Sequence, residues 1–186
     1  MPQVRVNAGP VQQNNKFDAD FKFNQVLYDN QQIVRVKGCP DREDYNHLLS
    51  VKMILNASQG SKQVLTIELT DPDHNSFFLY TLDCAETDFH VLRSEQHLLF
   101  DFQLFPSYIT QHLDSCTASQ QDQVVSAGKR FLCVLNLGVS NEATLQMVEQ
   151  TQYQTLIHLS LKLRLANDET LKRHLSSRLK DFMSLN

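Results

Sequence analysis

The sequence predicts an α+β fold, mainly β, in which antiparallel strands with a short helical insert come first and a helix closes the chain. Three observations carry this expectation. Ile157, Leu159, Leu161, Leu163 and Leu165 form one face of an alternating segment, with His158, Ser160, Lys162 and Arg164 opposite; a period of two is that of a half-buried strand. The polar connector Gln150–Gln154 joins it to the apolar stretch Ala143–Glu149 and is short enough for a hairpin. After Asn167 the spacing changes, and Leu171, Leu175, Arg178, Phe182 and Leu185 recur at four, three, four and three, a heptad-like seam flanked by Leu179.

The chain has 186 residues, enough for one domain with an appendage and for a core that needs neither metal nor disulfide. Its composition, 41% apolar and 20% charged, is that of a globular protein. A net charge of −4 provides no electrostatic footprint for nucleic acid or anionic lipid. Cys39, Cys84, Cys116 and Cys133 lie far apart without a CxxC pair and read as reduced thiols. No apolar run approaches the ~18 residues of a membrane span, so the expectation is a soluble, intracellular protein.

In order along the chain, residues 1–20 are rich in Gln and Asn and are expected to form a disordered extension; a short edge strand at Val4–Val6 is the alternative. The folded head is expected over residues 21–166, beginning at Phe21, Phe23, Val26, Leu27 and Tyr28. Gln32–Lys37 is a β-branched strand, ended by the breaker cluster Gly38–Asp41. A strand from about His47 to Leu55 and another at Gln63–Leu69 flank a turn at Asn56–Ser61 and pair as a hairpin. Beyond the turn Thr70–Asn75, Phe77–Leu82 is apolar on both sides, as a central strand would be. Glu86–Gln96 carries acids in its first turn and fits a short helix. Leu98–Phe102 is a strand or an extended link. Pro106 then marks a helix start, and Tyr108, Ile109, His112, Leu113 and Cys116 share one helix face. Thr117–Lys129 is expected to be a polar loop, after which Phe131 opens the last three strands. In the second of these, the alternation of Thr144–Met147 breaks at Val148. Asn167 or Asp168 is the N-cap of the closing helix, assigned to residues 167–186 with Glu169 in its first turn.

Catalytic chemistry finds little support. His47, His74, His90, His97, His112, His158 and His174 make no recognisable metal-ligand spacing, and His158 reads as a solvated side chain on a polar strand face. Asp71 and Asp73 flank Pro72, which is more often turn chemistry than an acid/base pair. A hydrolase using Asp71, Asp73 or His74, or a nucleophile among Cys84, Cys116 and Cys133, is the weakest reading. Five glycines form no phosphate-cradling loop. The expectation is no enzyme, no metal and no cofactor.

The chain from about residue 45 to 180 resembles the head domain of the centriolar cartwheel protein called spindle assembly abnormal protein six. The resemblance is carried by Leu65–Asp71, Phe77–Leu82, Asp88-Phe89, Leu92, Gln96, Leu98-Leu99, Asp101-Phe102, Phe105-Pro106 and Ile109. It continues through Arg130–Leu132, Val148-Glu149, Leu156–Leu163 and Asn167-Asp168. It implies a β-sandwich or barrel-like head followed by a parallel coiled coil, an architecture shared with the repair scaffold that binds a DNA ligase. Family heads pair through a hairpin and stalks through the coiled coil, and alternation of the two contacts builds a ninefold ring at the centriole or basal body.

Family heads insert a large apolar side chain, usually Phe, from the hairpin tip into a partner head. Alignment puts Tyr153 there, with Thr151, Gln152 and Gln154 around it; the alternative is that Tyr153 caps its own hairpin. Leu145 and Met147 are expected in the core. The implied stalk contacts are Leu171, Leu175, Arg178, Leu179, Phe182 and Leu185, unless that helix folds back on the head. The implied partners are further copies of the chain and other centriolar proteins, with no nucleic acid, membrane or small-molecule substrate. The implied location is the cytoplasm, cytoskeleton and centrosome. A repair scaffold dimer that recruits a partner through its stalk is the alternative function.

Overall fold

The structure, a computed structural model, describes residues 23–57, 60, 62–71, 73–121 and 128–185. The expected N-terminal extension lies outside them. Seven strands form a closed barrel. They are β1 (Phe23–Lys37), β2 (Tyr45–Ala57), β3 (Gln63–Asp71), β4 (Asn75–Ala85), β5 (Arg130–Leu137), β6 (Glu142–Gln150) and β7 (Thr155–Leu165). Around the barrel the order is β1-β2-β3-β4-β7-β6-β5. Neighbours are antiparallel except β1 and β5, which close the barrel in parallel with Val34 opposite Cys133 and Lys37 opposite Asn136. Gly38, at φ +78°, makes that closure tight, because a Cβ there would stand 2.6 Å from the Leu137 carbonyl oxygen.

Alternate residues fill the barrel: Leu49, Val51 and Met53 from β2, Leu65, Ile67 and Leu69 from β3, Leu145 and Met147 from β6, and Leu159, Leu161 and Leu163 from β7. Burying each such side chain contributes about 1.5–3 kcal/mol. Leu145 and Met147 are therefore core, as their alternation predicts.

The seam between β4 and β7 is short, with only Tyr80–Leu165 and Thr81–Arg164 paired. The helical insert fills the gap beyond it. It comprises α1 (Glu86–Glu95), a 3₁₀ turn at Phe102–Leu104 and α2 (Phe105–Gln121). Phe89 anchors the plug, with ring centroids 4.8 Å from Phe105, 5.8 Å from Phe102 and 5.9 Å from Phe100. The Gln96 side chain then stands in for a missing strand: its Nε2 donates to the Ser160 carbonyl at 2.7 Å, and the Ser160 N–H donates to its Oε1 at 2.8 Å. The free edge of β7 is thereby satisfied.

Several expectations change. The first strand is much longer than Gln32–Lys37, absorbing a register shift between Val26 and Tyr28. Of the two expectations for Leu98–Phe102 the link holds, and it runs into the start of the 3₁₀ turn. The polar stretch expected as a loop is helical through Gln121, because its side chains find partners on the barrel. Ser119 Oγ accepts the Phe131 N–H, Gln120 Nε2 donates to the Ile33 carbonyl, and Thr117 Oγ1 bonds the buried Gln32 amide. Residues 122–127 of that stretch lie outside the described residues. Phe77 is exposed, so β4 is apolar on both faces only further along. Ile157 leaves the buried face: the register between β6 and β7 slips at Met147/Val148, placing Met147 opposite Leu159 but Val148 opposite Ile157. His158 is the extra residue of this bulge, and Ile157 is 55% exposed beyond it. The break in alternation at Val148 marks the same point.

The last helix, α3 (Asp168–Ser184), is capped by Asn167, whose Oδ1 accepts the Thr170 N–H at 2.8 Å. It leaves the barrel beside β4, where the Ala166 N–H bonds the Leu79 carbonyl.

Candidate functional site

The β6–β7 turn is built by one hydroxyl. Thr151 Oγ1 accepts the N–H groups of Tyr153 at 3.3 Å and Gln154 at 3.1 Å and donates to the Gln154 carbonyl at 3.2 Å. The Thr151 N–H closes the turn onto the same carbonyl at 2.9 Å. Such a hydroxyl turn fixes the backbone without apolar packing. Tyr153 projects from it 88% exposed. Gln152 and Gln154 are exposed beside it.

The hairpin base borders a groove of about 490 Å³ on the outer barrel face. Leu132, Val134, Val148 and Ile157 supply its apolar lining, and Arg35 and Lys37 stand among its walls. The bulge that expels Ile157 from the core turns it into this groove.

Beneath the hairpin lies a polar brace. Glu149, almost fully buried, holds Lys129 Nζ at 3.0 Å through Oε1 and His158 Nε2 at 2.8 Å through Oε2. These bonds, Lys129 first, keep the Glu149 carboxyl below its ordinary pKa. His158 stacks on His112 at 5.0 Å, and its carbonyl accepts the Tyr108 hydroxyl at 3.3 Å. It is thus half-buried in a network rather than a solvated side chain. Burial, then the neighbouring His158, pushes the His112 pKa down against the opposing pull of Glu149.

The expected stalk residues divide along α3. Leu171 and Leu175 are half-buried, whereas Arg178, Leu179, Phe182 and Leu185 are exposed. His174, between the two leucines, sits 3.9 Å from Glu68 Oε2 on β3, and burial lowers its pKa. The first turns therefore lean on the barrel, and the later turns stand clear of it.

The weaker catalytic candidates separate. Asp71 is buried and Asp73 exposed. Burial would raise the Asp71 pKa, but bonds from His47 and the His74 N–H outweigh it and hold the carboxyl low. Cys84 and Cys116 are pushed by burial up to about 11 and about 12, and Cys133 is raised as well; such thiols are poor nucleophiles. One cluster joins Asp71, the last residue of β3, and His74 in the turn after it to His47 of β2, a partner that sequence spacing does not show. His47, Asp71 and His74 bring three ligand-type atoms within 4.8 Å of one another. No helix among the described residues is long and apolar enough to cross a membrane.

Residues 26–163 match the family described as centriolar protein SAS N-terminal domain. The chain is 33% identical over 154 residues to the spindle assembly abnormal protein 6 homolog of Xenopus laevis, covering 80% of this chain and 22% of that protein. It is 34% identical over 151 residues to the homolog of Gallus gallus, covering 79% and 23%. It thus spans less than a quarter of the length of these relatives. Among solved structures, an N-terminal fragment of Leishmania SAS-6 that contains part of its coiled-coil domain superposes with a TM-score of 0.73 at 29% identity, covering 87% of this chain and 83% of that one. The N-terminal domain of C. elegans SAS-6 shares the fold, with a TM-score of 0.62 at 20% identity over 77% and 99%.

Proposed function

The chain belongs to the centriolar protein SAS N-terminal domain family, and from that premise we propose that it is the head and first stalk turns of a self-assembling structural protein. Heads pair through the β6–β7 hairpin, stalks pair through α3 and its continuation, and the alternation of both contacts builds the ninefold hub of a centriole or basal-body cartwheel. The protein acts without catalysis in the cytoskeleton, with further copies and other centriolar proteins as partners.

The observation that carries this reading is Tyr153, an exposed aromatic ring on a turn held by Thr151, with a groove of about 490 Å³ at the hairpin base to which Leu132, Val134, Val148 and Ile157 supply apolar lining. Tip and groove on one surface make a self-complementary pair. A two-fold axis lets each tip enter the groove of the other copy, the geometry of an isologous dimer. Ring burial contributes about 1.5–3 kcal/mol, less the desolvation of the hydroxyl. Each head contact is therefore weak, and closure of a ring reinforces it through effective concentration. Thr151, Gln152 and Gln154 frame Tyr153. Leu171, Leu175, Arg178, Leu179, Phe182 and Leu185 form the stalk seam.

Sedimentation of the head and of Tyr153→Glu tests the head contact: the variant stays folded and monomeric while the parent self-associates with concentration. Equal association of the two removes Tyr153 from the interface. Electron microscopy of a chain with a longer stalk tests the assembly, where curved oligomers or rings support the cartwheel and isolated dimers favour the repair-scaffold alternative.

A further inference from the structure

We propose that His47, Asp71 and His74 form a three-ligand binding site for a zinc-class divalent cation at the end of the barrel. His47 Nε2 lies 2.7 Å from Asp71 Oδ2, and His74 Nδ1 lies 3.4 Å from Asp71 Oδ1. The two imidazole rings are 5.1 Å apart, and all three ligand atoms fall within 4.8 Å of one another. A tetrahedral zinc ion with bonds of about 2.0–2.2 Å needs ligand atoms about 3.3 Å apart. The two Asp71 contacts, at 2.7 and 3.4 Å, bracket that spacing, and the remaining separations, at most 4.8 Å, close by rotation of the exposed His74 side chain.

The fold builds the cluster rather than leaving it to chance encounters at the surface. Asp71 continues the inward face of Leu65, Ile67 and Leu69 at 5% exposure, at the point where the register of β3 against β4 slips. The His74 N–H bonds Asp71 Oδ1 at 3.1 Å and fixes the carboxylate, while β2 supplies His47, four-fifths buried. Two imidazoles and one carboxylate suit zinc and its transition-metal neighbours. Calcium and magnesium prefer all-oxygen sites. The His74 side chain is 69% exposed, so the fourth position opens to water. In the absence of metal, His47 and Asp71 hydrogen-bond directly. On binding, the Nε2 lone pair turns to the metal, and the ring's proton resides on Nδ1 or leaves to solvent. The ion ties β2 to the β3–β4 turn and stabilises the barrel end by linkage.

Calorimetric titration of the chain with ZnCl2, paired with its thermal midpoint, tests the proposal. One zinc binds per chain and raises the midpoint, MgCl2 does neither, and His74→Ala weakens zinc binding by at least about tenfold with an unchanged far-ultraviolet dichroism spectrum. Equal zinc binding by His74→Ala, which would mean an adventitious ion only, overturns it; so does the absence of zinc binding by the parent. Cobalt substitution of the parent chain is an independent readout that needs no variant. Intense visible bands of four-coordinate Co2+ support the site, and a weak hexa-aquo spectrum sinks it.

Discussion

Gln96 and Ser160 exchange two hydrogen bonds, 2.7 and 2.8 Å long, across the gap where β4 no longer reaches β7. One side-chain amide thus does the work of a strand, matching a backbone donor and acceptor together. Its position follows from α1: Gln96 is the C-cap, with its own N–H on the Leu92 carbonyl, so the side chain is aimed by the end of the helix. Gln96→Ala leaves both Ser160 groups unpartnered and should lower stability by about 1–3 kcal/mol. Gln96→Glu keeps an acceptor but sets a carboxylate against the Ser160 carbonyl, and should be no better than alanine. Urea unfolding midpoints check both variants; an unchanged midpoint for Gln96→Ala would show that water replaces the amide at no cost.

On the proposed head pairing, Tyr153 and Thr151 should make separable contributions. Tyr153→Phe retains the ring and removes the hydroxyl, so association should tighten several-fold if that hydroxyl loses hydrogen bonds in the groove, corresponding to about 1 kcal/mol. Thr151→Val deletes the acceptor of two turn N–H groups while leaving the ring in place. Association should then weaken because the tip must be ordered on binding. Sedimentation of the two variants beside the parent reads both effects. A Tyr153→Phe head that associates less tightly would mean that the hydroxyl is bonded in the complex.

The head should lose stability as pH falls below about 6.5, the ordinary value for histidine. Burial keeps the folded-state pKa of His112 below that value, with His158 adding to the shift. The unfolded chain then binds the proton first, and stability rises with pH across this window. His174 on α3, its pKa lowered by burial, acts with the same sign. Glu149 acts later: its depressed pKa makes its contribution complete above about 4.5 and lost only at lower pH. Urea midpoints at pH 7.5 and 5.5 should therefore fall, and His112→Gln should flatten part of that slope. A slope unchanged in the variant would assign the whole effect to other groups.

Strand alternation, hairpins, the Asn167 cap and the core positions of Leu145 and Met147 were all legible, because each depends on neighbours within a few residues. What the sequence hid depends on distant partners. Thr117–Gln121 is polar enough to look like a loop, and partners outside the segment, Gln32, Ile33 and Phe131, give its side chains a reason to remain helical. Ile157 fits the alternation of β7, but a bulge set by pairing with β6 turns it outward. The resemblance pointed to Tyr153 and its turn. The groove beside it combines β1, β5, β6 and β7, and the cluster at Asp71 adds His47 of β2 to the end of β3 and the turn after it; no local pattern brings strands so distant in sequence together.

The division of α3 predicts opposite behaviour for two of its apolar residues. Leu175 is half-buried beside His174, so Leu175→Ser should lower the stability of the isolated head. Phe182 is two-thirds exposed on the part that stands clear of the barrel, and Phe182→Ser should leave the urea midpoint within about 0.5 kcal/mol of the parent. In a chain with a longer stalk the ranking reverses for dimerisation. On the proposed stalk pairing, Phe182 sits in the seam between two helices, where a polar substitution should weaken the packing of knobs into holes. An isolated helix of this length is marginal, so the free end should gain helicity as stalks pair. Circular dichroism against concentration, together with sedimentation, measures this. If Phe182→Ser destabilises the monomeric head as much as Leu175→Ser does, α3 folds back along its whole length and is not a stalk.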